Sequence, residues 1–171
     1  QLTVLFCDIV GSTELCARLD PEDMRGVLLA YQEACSKVIA RYDSYVAKFM
    51  GDGVYAYFGY PTAHEDDAER AINAGLGIVA AIKGLNARQG ALAVRIGVAT
   101  GNVAVGDLIG EGASEEANVV GDTPDLAARL QALAQPNTVI IGDICGFRRA
   151  WDAYMNSTAA DHARLGLCCS S

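Results

Sequence analysis

A Gly-Asp-Gly turn at residues 51–53, between two apolar segments, constrains this chain more than any other feature of its sequence. The flanking segments, Tyr45–Met50 and 54–58, are rich in aromatic and β-branched residues, so the turn predicts a β-hairpin. A third apolar segment, residues 2–8, ends at Asp8 and is soon followed by a glycine. Asp8 and Asp52 are therefore carboxylates at the ends of apolar strands, and the glycines near them leave the backbone open to a ligand.

Capping residues and apolar periodicity divide the rest of the chain into alternating helices and strands. Ser12 or Thr13 is expected to cap a first helix, and Asp20 before Pro21 restarts it. The predicted strands are 2–8, 45–50, 54–58, 92–100, 103–105 and 138–141. Two helices are predicted between residues 12 and 42, the second restarting at Asp20, and two more at 61–90 and 125–134. This order predicts an α+β fold, a ferredoxin-like, antiparallel-rich sheet with helices packed on it.

The chain is expected to contain one folded unit at residues 1–142 and an atypical C-terminal tail at 143–171. Its 171 residues are enough to bury a sizeable core. The end of the chain is rich in Ala, Ser and Cys and has no clear period, so we expect it to be atypical or poorly ordered. A glycine-rich acidic loop is predicted at 106–117.

The composition excludes several classes of function. A net charge of −8 disfavours nucleic acid as a partner. No apolar segment is long enough to span a membrane, so no membrane segment is expected in this chain. The six cysteines form no Cys-x-x-Cys pattern, which favours a reducing, cytoplasmic location over a disulfide framework.

The two strand-end carboxylates, Asp8 and Asp52, predict a metal site that carries a polyphosphate. Hard oxygen ligands on neighbouring strands suit Mg²⁺, and the helix that follows Gly11 adds free N–H groups and a positive dipole end. Each aspartate on its own has a simpler explanation as a turn or cap residue. Their shared setting, at strand ends beside glycines, favours the metal site.

These segments, Leu5-Phe6-Cys7-Asp8-Ile9-Val10-Gly11-Ser12-Thr13 and Ala47-Lys48-Phe49-Met50-Gly51-Asp52-Gly53, resemble the class III nucleotidyl cyclase catalytic domain, the family of adenylate and guanylate cyclases. The resemblance implies an enzyme that converts ATP to 3′,5′-cyclic AMP and pyrophosphate with two Mg²⁺ or Mn²⁺ ions per site. The metal ligands it implies are Asp8, Ile9 and Asp52. The substrate-binding residues it implies are Gly11, Ser12, Thr13, Lys48 and Asn118.

The resemblance also assigns the reading of the base to Lys48 and Asn118. Lysine at the position of Lys48 resembles an adenine reader, because an ammonium can donate to ring nitrogen N1, whereas guanine readers carry an acid there. Lys48 can also be a surface lysine of an edge strand. Asn118 can accept from the adenine amino group but also donate, and it can equally be an ordinary loop residue.

Arg129 and Asp125 are the catalytic residues that the resemblance implies. Arg129 would face the charge that develops on the α-phosphate. Asp125 stands where the family usually has an asparagine that positions the ribose, and a carboxylate there is repelled by a polyphosphate. Asp125 could instead pair with Arg129, four residues later, and withdraw it. No lysine follows Lys83, although the family normally binds the terminal phosphates with a lysine near its C-terminus.

The resemblance implies a head-to-tail homodimer with the site shared between two chains. Asp8 and Asp52 would come from one protomer. The other protomer would supply Lys48, Asn118, Asp125 and Arg129. Two alternatives remain open. One is a catalytically impaired, cyclase-like module for nucleotide binding, dimerisation and regulation, and the other is a palm-like nucleotidyl transferase that uses two metals. The absence of a basic groove argues against a template-dependent polymerase.

Overall fold

The computed structural model describes residues 1–89, 92–106, 118–142 and 164–168. In these ranges the strands are β1 (Leu2–Ile9), β2 (Tyr45–Met50), β3 (Gly53–Phe58), β4 (Val94–Gly101), β5 (Ala104–Gly106), β6 (Asn118–Val120), β7 (Thr138–Gly142) and β8 (Arg164–Cys168). The helices are α1 (Ser12–Arg18), α2 (Pro21–Ala40), α3 (Asp67–Gln89) and α4 (Asp122–Leu133).

One mixed sheet carries the fold, with the strand order β2-β3-β1-β4-β7-β8. The β2/β3, β3/β1 and β1/β4 pairs are antiparallel, whereas β7 runs parallel to both β4 and β8. The parallel β4/β7 pair follows from α4, because a parallel connection must cross over the sheet. The predicted α+β fold with an antiparallel-rich sheet and packed helices is therefore confirmed.

The two faces of the sheet bury different cores. The alternation of side chains along β1 sends Leu5 and Cys7 to the face covered by α2 and α3, and Val4 and Phe6 to the face covered by α4. The first core is the larger, with Tyr31 and Cys35 of α2 fully buried in it. We call the other face of the sheet, which holds Ala127 and Leu130 of α4, the α4 face.

Local sequence explains where α2 begins. The carboxylate of Asp20 accepts hydrogen bonds from the N–H groups of Glu22 and Asp23, and Pro21 occupies the first turn, as predicted. The prediction for α1 was wrong in one respect. Its N-cap is Gly11 and no side chain caps it, because Ser12 and Thr13 already lie inside the helix. None of the helices in the described ranges is long and apolar enough to cross a bilayer.

The largest differences from the predicted elements lie late in the chain. Strand β6 pairs with β5 as a separate two-stranded ribbon, and β8 adds a sixth strand to the main sheet inside the predicted tail. The sequence pattern indicated neither strand. Residues 107–117 of the predicted loop, and 143–163 and 169–171 of the predicted tail, lie outside the described residues. The boundary at residue 142 stays a prediction.

Candidate functional site

Asp8 and Asp52 lie side by side where neighbouring strands end, Asp8 on β1 and Asp52 in the turn before β3. Cys7 of β1 pairs with Val54 of β3, so the end of β1 reaches the turn between β2 and β3 that holds Asp52. Burial, followed by the neighbouring Asp52 carboxyl, raises the pKa of Asp8 from 3.8 to about 7. The Oδ2 atom of Asp52 is buried and has no hydrogen-bond partner among the residues that the structure describes. Two carboxyl groups thus face each other, and their charge is poorly compensated within the chain.

This pair fits a divalent cation. A buried carboxylate oxygen without a donor is costly unless something positive binds it. The N–H of Ile9 donates to Asp8 Oδ1 at 3.0 Å and so orients that carboxylate. The side chain of Ile9 is apolar and buried, so only its backbone oxygen can serve as the predicted ligand. Within the described ranges no group of three or more His, Cys, Asp or Glu side chains forms a metal cluster, so the remaining ligands would be backbone, substrate or water oxygens.

A cleft of about 800 Å³ opens beside Asp8 and contains the predicted substrate-binding segment at the start of α1. Gly11 adopts φ = +69°, a left-handed conformation that favours glycine and turns the chain sharply from β1 into the helix. The cleft is lined by Asp8, Ile9, Val10, Gly11, Ser12, Thr13, Glu14, Leu15, Arg18, Leu19, Leu92, Arg95 and Gln131. The structure therefore brings Gly11, Ser12 and Thr13 together with Asp8 and Ile9.

Arg95 is a site residue that the sequence analysis missed. It lies on β4 directly opposite Asp8, and its charge lowers the pKa of Asp8, against the larger upward effects of burial and Asp52. Its Nε atom is buried and has no hydrogen-bond partner within the described ranges, and the residue lines the same cleft. One donor of the guanidinium is thus left unsatisfied by the described residues, next to the cleft that holds Asp8. The available signal was a single cation inside the apolar strand Val94–Gly101.

Lys48 reaches the α4 face through an irregularity in β2. Val46 pairs with Ala56, but Lys48 pairs with Tyr55, so Ala47 is an extra residue on its strand. The Lys48 Nζ atom lies 5.0 Å from the centre of the Tyr55 ring. Regular alternation along β2 is therefore broken at this point. Lys48 is partly buried rather than a free surface lysine.

Asp125 and Arg129 are both exposed on α4. In the described part of the chain, which includes both residues, no ion pair joins them. The possibility that Asp125 withdraws Arg129 is therefore not realised in this structure. The charge of Asp125 is felt on the α4 face. Burial is the largest cause of the raised pKa of Tyr55, and the charges of Asp125 and then Asp8 raise this pKa further. Asn118 begins β6, but its side chain lies outside what is described.

Comparison with known sequences identifies relatives over most of the chain. The family model of the adenylate and guanylate cyclase catalytic domain matches residues 1–145. An uncharacterized protein of Rhizobium meliloti (strain 1021) is 40% identical over 144 residues, which are 83% of this chain and 14% of that protein. Adenylate cyclase 1 of the same organism is 30% identical over 140 residues, 78% of this chain and 21% of that protein. The chain thus spans only a small part of these curated relatives.

Solved structures of nucleotide cyclases are also similar to this chain. The guanylyl cyclase Cya2 is similar with a TM-score of 0.80 and 29% identity, covering 89% of this chain and 77% of that one. The adenylyl cyclase CyaB from P. aeruginosa has a TM-score of 0.80 and 28% identity, covering 91% and 81%. The guanylate cyclase domain of RhGC from Catenaria anguillulae, in complex with GTP, has a TM-score of 0.74 and 28% identity, covering 81% and 75%. Proteins named for either nucleotide are therefore similar to this chain.

Proposed function

This chain belongs to the family of adenylate and guanylate cyclase catalytic domains, and from that premise we propose that it converts ATP to 3′,5′-cyclic AMP and pyrophosphate. The observation that carries the proposal is the pair of facing carboxyl groups, Asp8 and Asp52, beside a cleft large enough for a nucleotide polyphosphate. Such a pair is unfavourable in an empty protein and becomes favourable around a cation.

Asp8, Asp52 and the backbone oxygen of Ile9 would hold Mg²⁺ or Mn²⁺, two ions per site. Bound there, the metal would lower the pKa of the ribose 3′-hydroxyl and neutralise charge on the phosphates. The protein's part is to keep both carboxylates in place. The Ile9 N–H does so at Asp8, and the short turn between β2 and β3 does so at Asp52.

Arginines would hold and stabilise the phosphates. Arg95 lines the cleft beside the metal ligands, where its guanidinium would bind a phosphate oxygen. It offers a charge for the terminal phosphates in a chain whose last lysine is Lys83. Arg129, exposed on α4 and not paired with Asp125, is free to meet the charge that develops on the α-phosphate of a nucleotide held by a partner chain.

ATP is proposed as the substrate because of Lys48. Adenine presents a ring-nitrogen acceptor at the position where guanine presents a donor, and an ammonium can only donate. Asn118 is the proposed second contact to the base. The relatives do not decide the matter, since one of the similar structures is a guanylyl cyclase and another an adenylyl cyclase.

A head-to-tail homodimer is proposed as the active form. Asp8 and Asp52 would come from one protomer, and Lys48, Asn118, Asp125 and Arg129 from the other. The exposure of Arg129 on α4 and the partial exposure of Lys48 support this arrangement, because neither residue is fully buried within its own chain. Two chains with these faces opposed would then form two equivalent sites.

The proposal is tested by replacing each carboxylate separately. Asp8→Asn and Asp52→Asn should each lower Mn²⁺-dependent cyclic AMP formation by at least about 100-fold, because each removes a charged metal ligand. The matched control is Asp43→Asn, which changes an exposed aspartate that pairs with Arg70 far from the cleft, and it should keep its activity. Unchanged activity in either of the first two variants contradicts the metal assignment.

A catalytically impaired nucleotide-binding module is the second candidate, and Asp125 favours it. An exposed carboxylate on α4, near enough to raise the pKa of Tyr55, would repel a polyphosphate held against this face. Asp125→Asn removes that charge with little change in size and should raise cyclase activity several-fold. If it does not, in a protein that is dimeric and binds ATP, the carboxylate is not what limits turnover.

A further inference from the structure

The position of Lys48 depends on a β-bulge in an edge strand. Among the described strands β2 pairs with β3 alone, at the edge of the main sheet, and its register shifts between Val46 and Lys48. Val46 packs with the core under α2 and α3, whereas Ala47 packs on the α4 face. Without the extra residue, alternation would send Lys48 to the same side as Val46, into the apolar core. The bulge turns its ammonium to the α4 face instead.

On that face the Tyr55 ring supports the ammonium. The Lys48 Nζ atom lies 5.0 Å from the ring centre, within the range of a cation–π interaction. The Tyr55 ring also stacks on Phe6, whose ring centre is 4.2 Å away at an interplanar angle of 24°. Phe6 lies on β1, two residues before Asp8, so a column of stacked rings joins the lysine to the strand that carries the metal ligand.

We propose that Tyr55 is the positioning residue of the base-reading lysine: its ring, fixed by Phe6, holds the Lys48 ammonium where it can donate to adenine. The inference rests on the proposed function and deepens it. An ammonium released from the ring would still attract the phosphates of either nucleotide. It would lose its fixed direction towards the base, and with it the preference for adenine over guanine.

Binding of nucleotides that cannot react tests the proposal separately from turnover. The probes are 3′-deoxy-ATP and 3′-deoxy-GTP, which lack the attacking hydroxyl, each titrated with Mn²⁺ against the full chain. Tyr55→Leu removes the ring and should lower the adenine-over-guanine affinity ratio about three- to tenfold, the strength of one cation–π contact. Tyr55→Phe keeps the ring and should retain the ratio of the unaltered chain.

Two further variants exclude a general structural effect. In a Lys48→Met background Tyr55→Leu should change the ratio no further, because the two residues act through one contact. Phe49→Leu is the matched control. It removes a neighbouring ring of the same strand that pairs with Val54, on the opposite face, and should leave the ratio unchanged. Loss of folding alone would weaken the binding of both nucleotides equally.

The outcomes separate the inference from the proposed function. An unchanged ratio in Tyr55→Leu overturns the inference, and so does a Tyr55→Phe variant that behaves like Tyr55→Leu, since the hydroxyl would then be the active group. A ratio that falls as expected in a chain that makes no cyclic nucleotide supports the inference and contradicts the proposed catalysis. A second, independent readout is the NMR signal of the Lys48 ε-methylene, which the ring current should shift upfield in the unaltered chain and in Tyr55→Phe but not in Tyr55→Leu.

Discussion

At the scale of single residues, the site is defined by charges placed where the protein alone cannot satisfy them. The neighbouring Asp52 carboxyl raises the pKa of Asp8, and the buried Oδ2 of Asp52 has no donor among the described residues. Arg95 compensates only partly, although it lies directly across the strand pair from Asp8. Arrangements of this kind are typical of sites that are completed by a bound ion.

The raised pKa of Asp8 predicts pH-dependent metal binding. In the metal-free chain the pKa of Asp8 is about 7, so below this value the proton competes with the metal for the same oxygen. Affinity for Mn²⁺ should therefore rise as the pH increases through about 7 and fall roughly tenfold per pH unit below it. Calorimetric titration with Mn²⁺ at pH 6 and pH 8 measures this difference.

The same titrations on Asp8→Asn provide the control, because that variant has no proton to lose at this position. Its weak binding should show little of the pH dependence. An affinity of the unaltered chain that stays constant between pH 6 and pH 8 would mean that Asp8 is ionised throughout, and would contradict the electrostatic picture of the site.

Residues with local signals were predictable from the sequence, and those that depend on strand register were not. Asp8 and Asp52 stand out because each ends an apolar strand beside glycine, and the structure brings them together. Arg95 became a candidate only once β4 was seen opposite β1. Tyr55 was missed for the same reason, since a bulge in the neighbouring strand brings Lys48 onto its ring.

At the scale of elements, the contact between α4 and β4 positions the residues proposed to act on the phosphates. Gly97 lies under the helix, and a Cβ at this position would overlap the backbone of Ala127 and Gln131. The absence of a side chain lets α4 lie directly on the sheet. Asp125 and Arg129 are carried by the same helix, so their height above the sheet depends on that glycine.

Gly97→Ala should therefore lift α4 and destabilise the fold by about 1–3 kcal/mol, because overpacking forces backbone shifts. Gly26→Ala is the matched control, since Gly26 lies in α2 with nothing within 4 Å of an added Cβ. It should stabilise the chain by about 0.5–1 kcal/mol through helix propensity. Urea unfolding of both variants measures the difference, and equal stabilities would contradict the close contact.

The predicted elements agree best with the structure where a cap or a turn marks their ends. Asp20 and the turn at 51–53 identified α2 and the hairpin, and the structure has both. Strands β6 and β8 are short, and their pairing partners are distant in the sequence. Such strands carry little local signal, because what stabilises them is the partner strand. The bulge at Ala47 has no local signal either, because it is defined only by the register of β2 against β3.

At the scale of the whole molecule, one face of the sheet buries the larger core and the other carries residues of the proposed site. The face under α2 and α3 holds the larger apolar core. The opposite face holds Phe6, Lys48 and Tyr55, with Asp125 and Arg129 on the helix beside them. A partner chain on this face could complete two sites at once, each with metal ligands from one chain and a base reader from the other.

Mixing two inactive variants tests the shared site. Asp8→Asn disables the metal ligands and Arg129→Ala the proposed phosphate contact, so each homodimer should be inactive. Heterodimers would contain one intact site, and an equal mixture should regain about a quarter of the unaltered activity. Cyclic AMP formation after exchange of subunits measures it. A mixture as inactive as its components, although heterodimers have formed, would show that both residues act within one chain.

The most direct test of the central claim is the formation of cyclic nucleotide by the purified chain with Mn²⁺, with ATP and GTP supplied separately over a range of protein concentrations. Cyclic AMP should form from ATP in preference to cyclic GMP from GTP, and specific activity should rise with concentration as dimers form. No cyclic AMP from a chain that binds ATP, or cyclic GMP as the main product, would contradict the proposed adenylate cyclase activity.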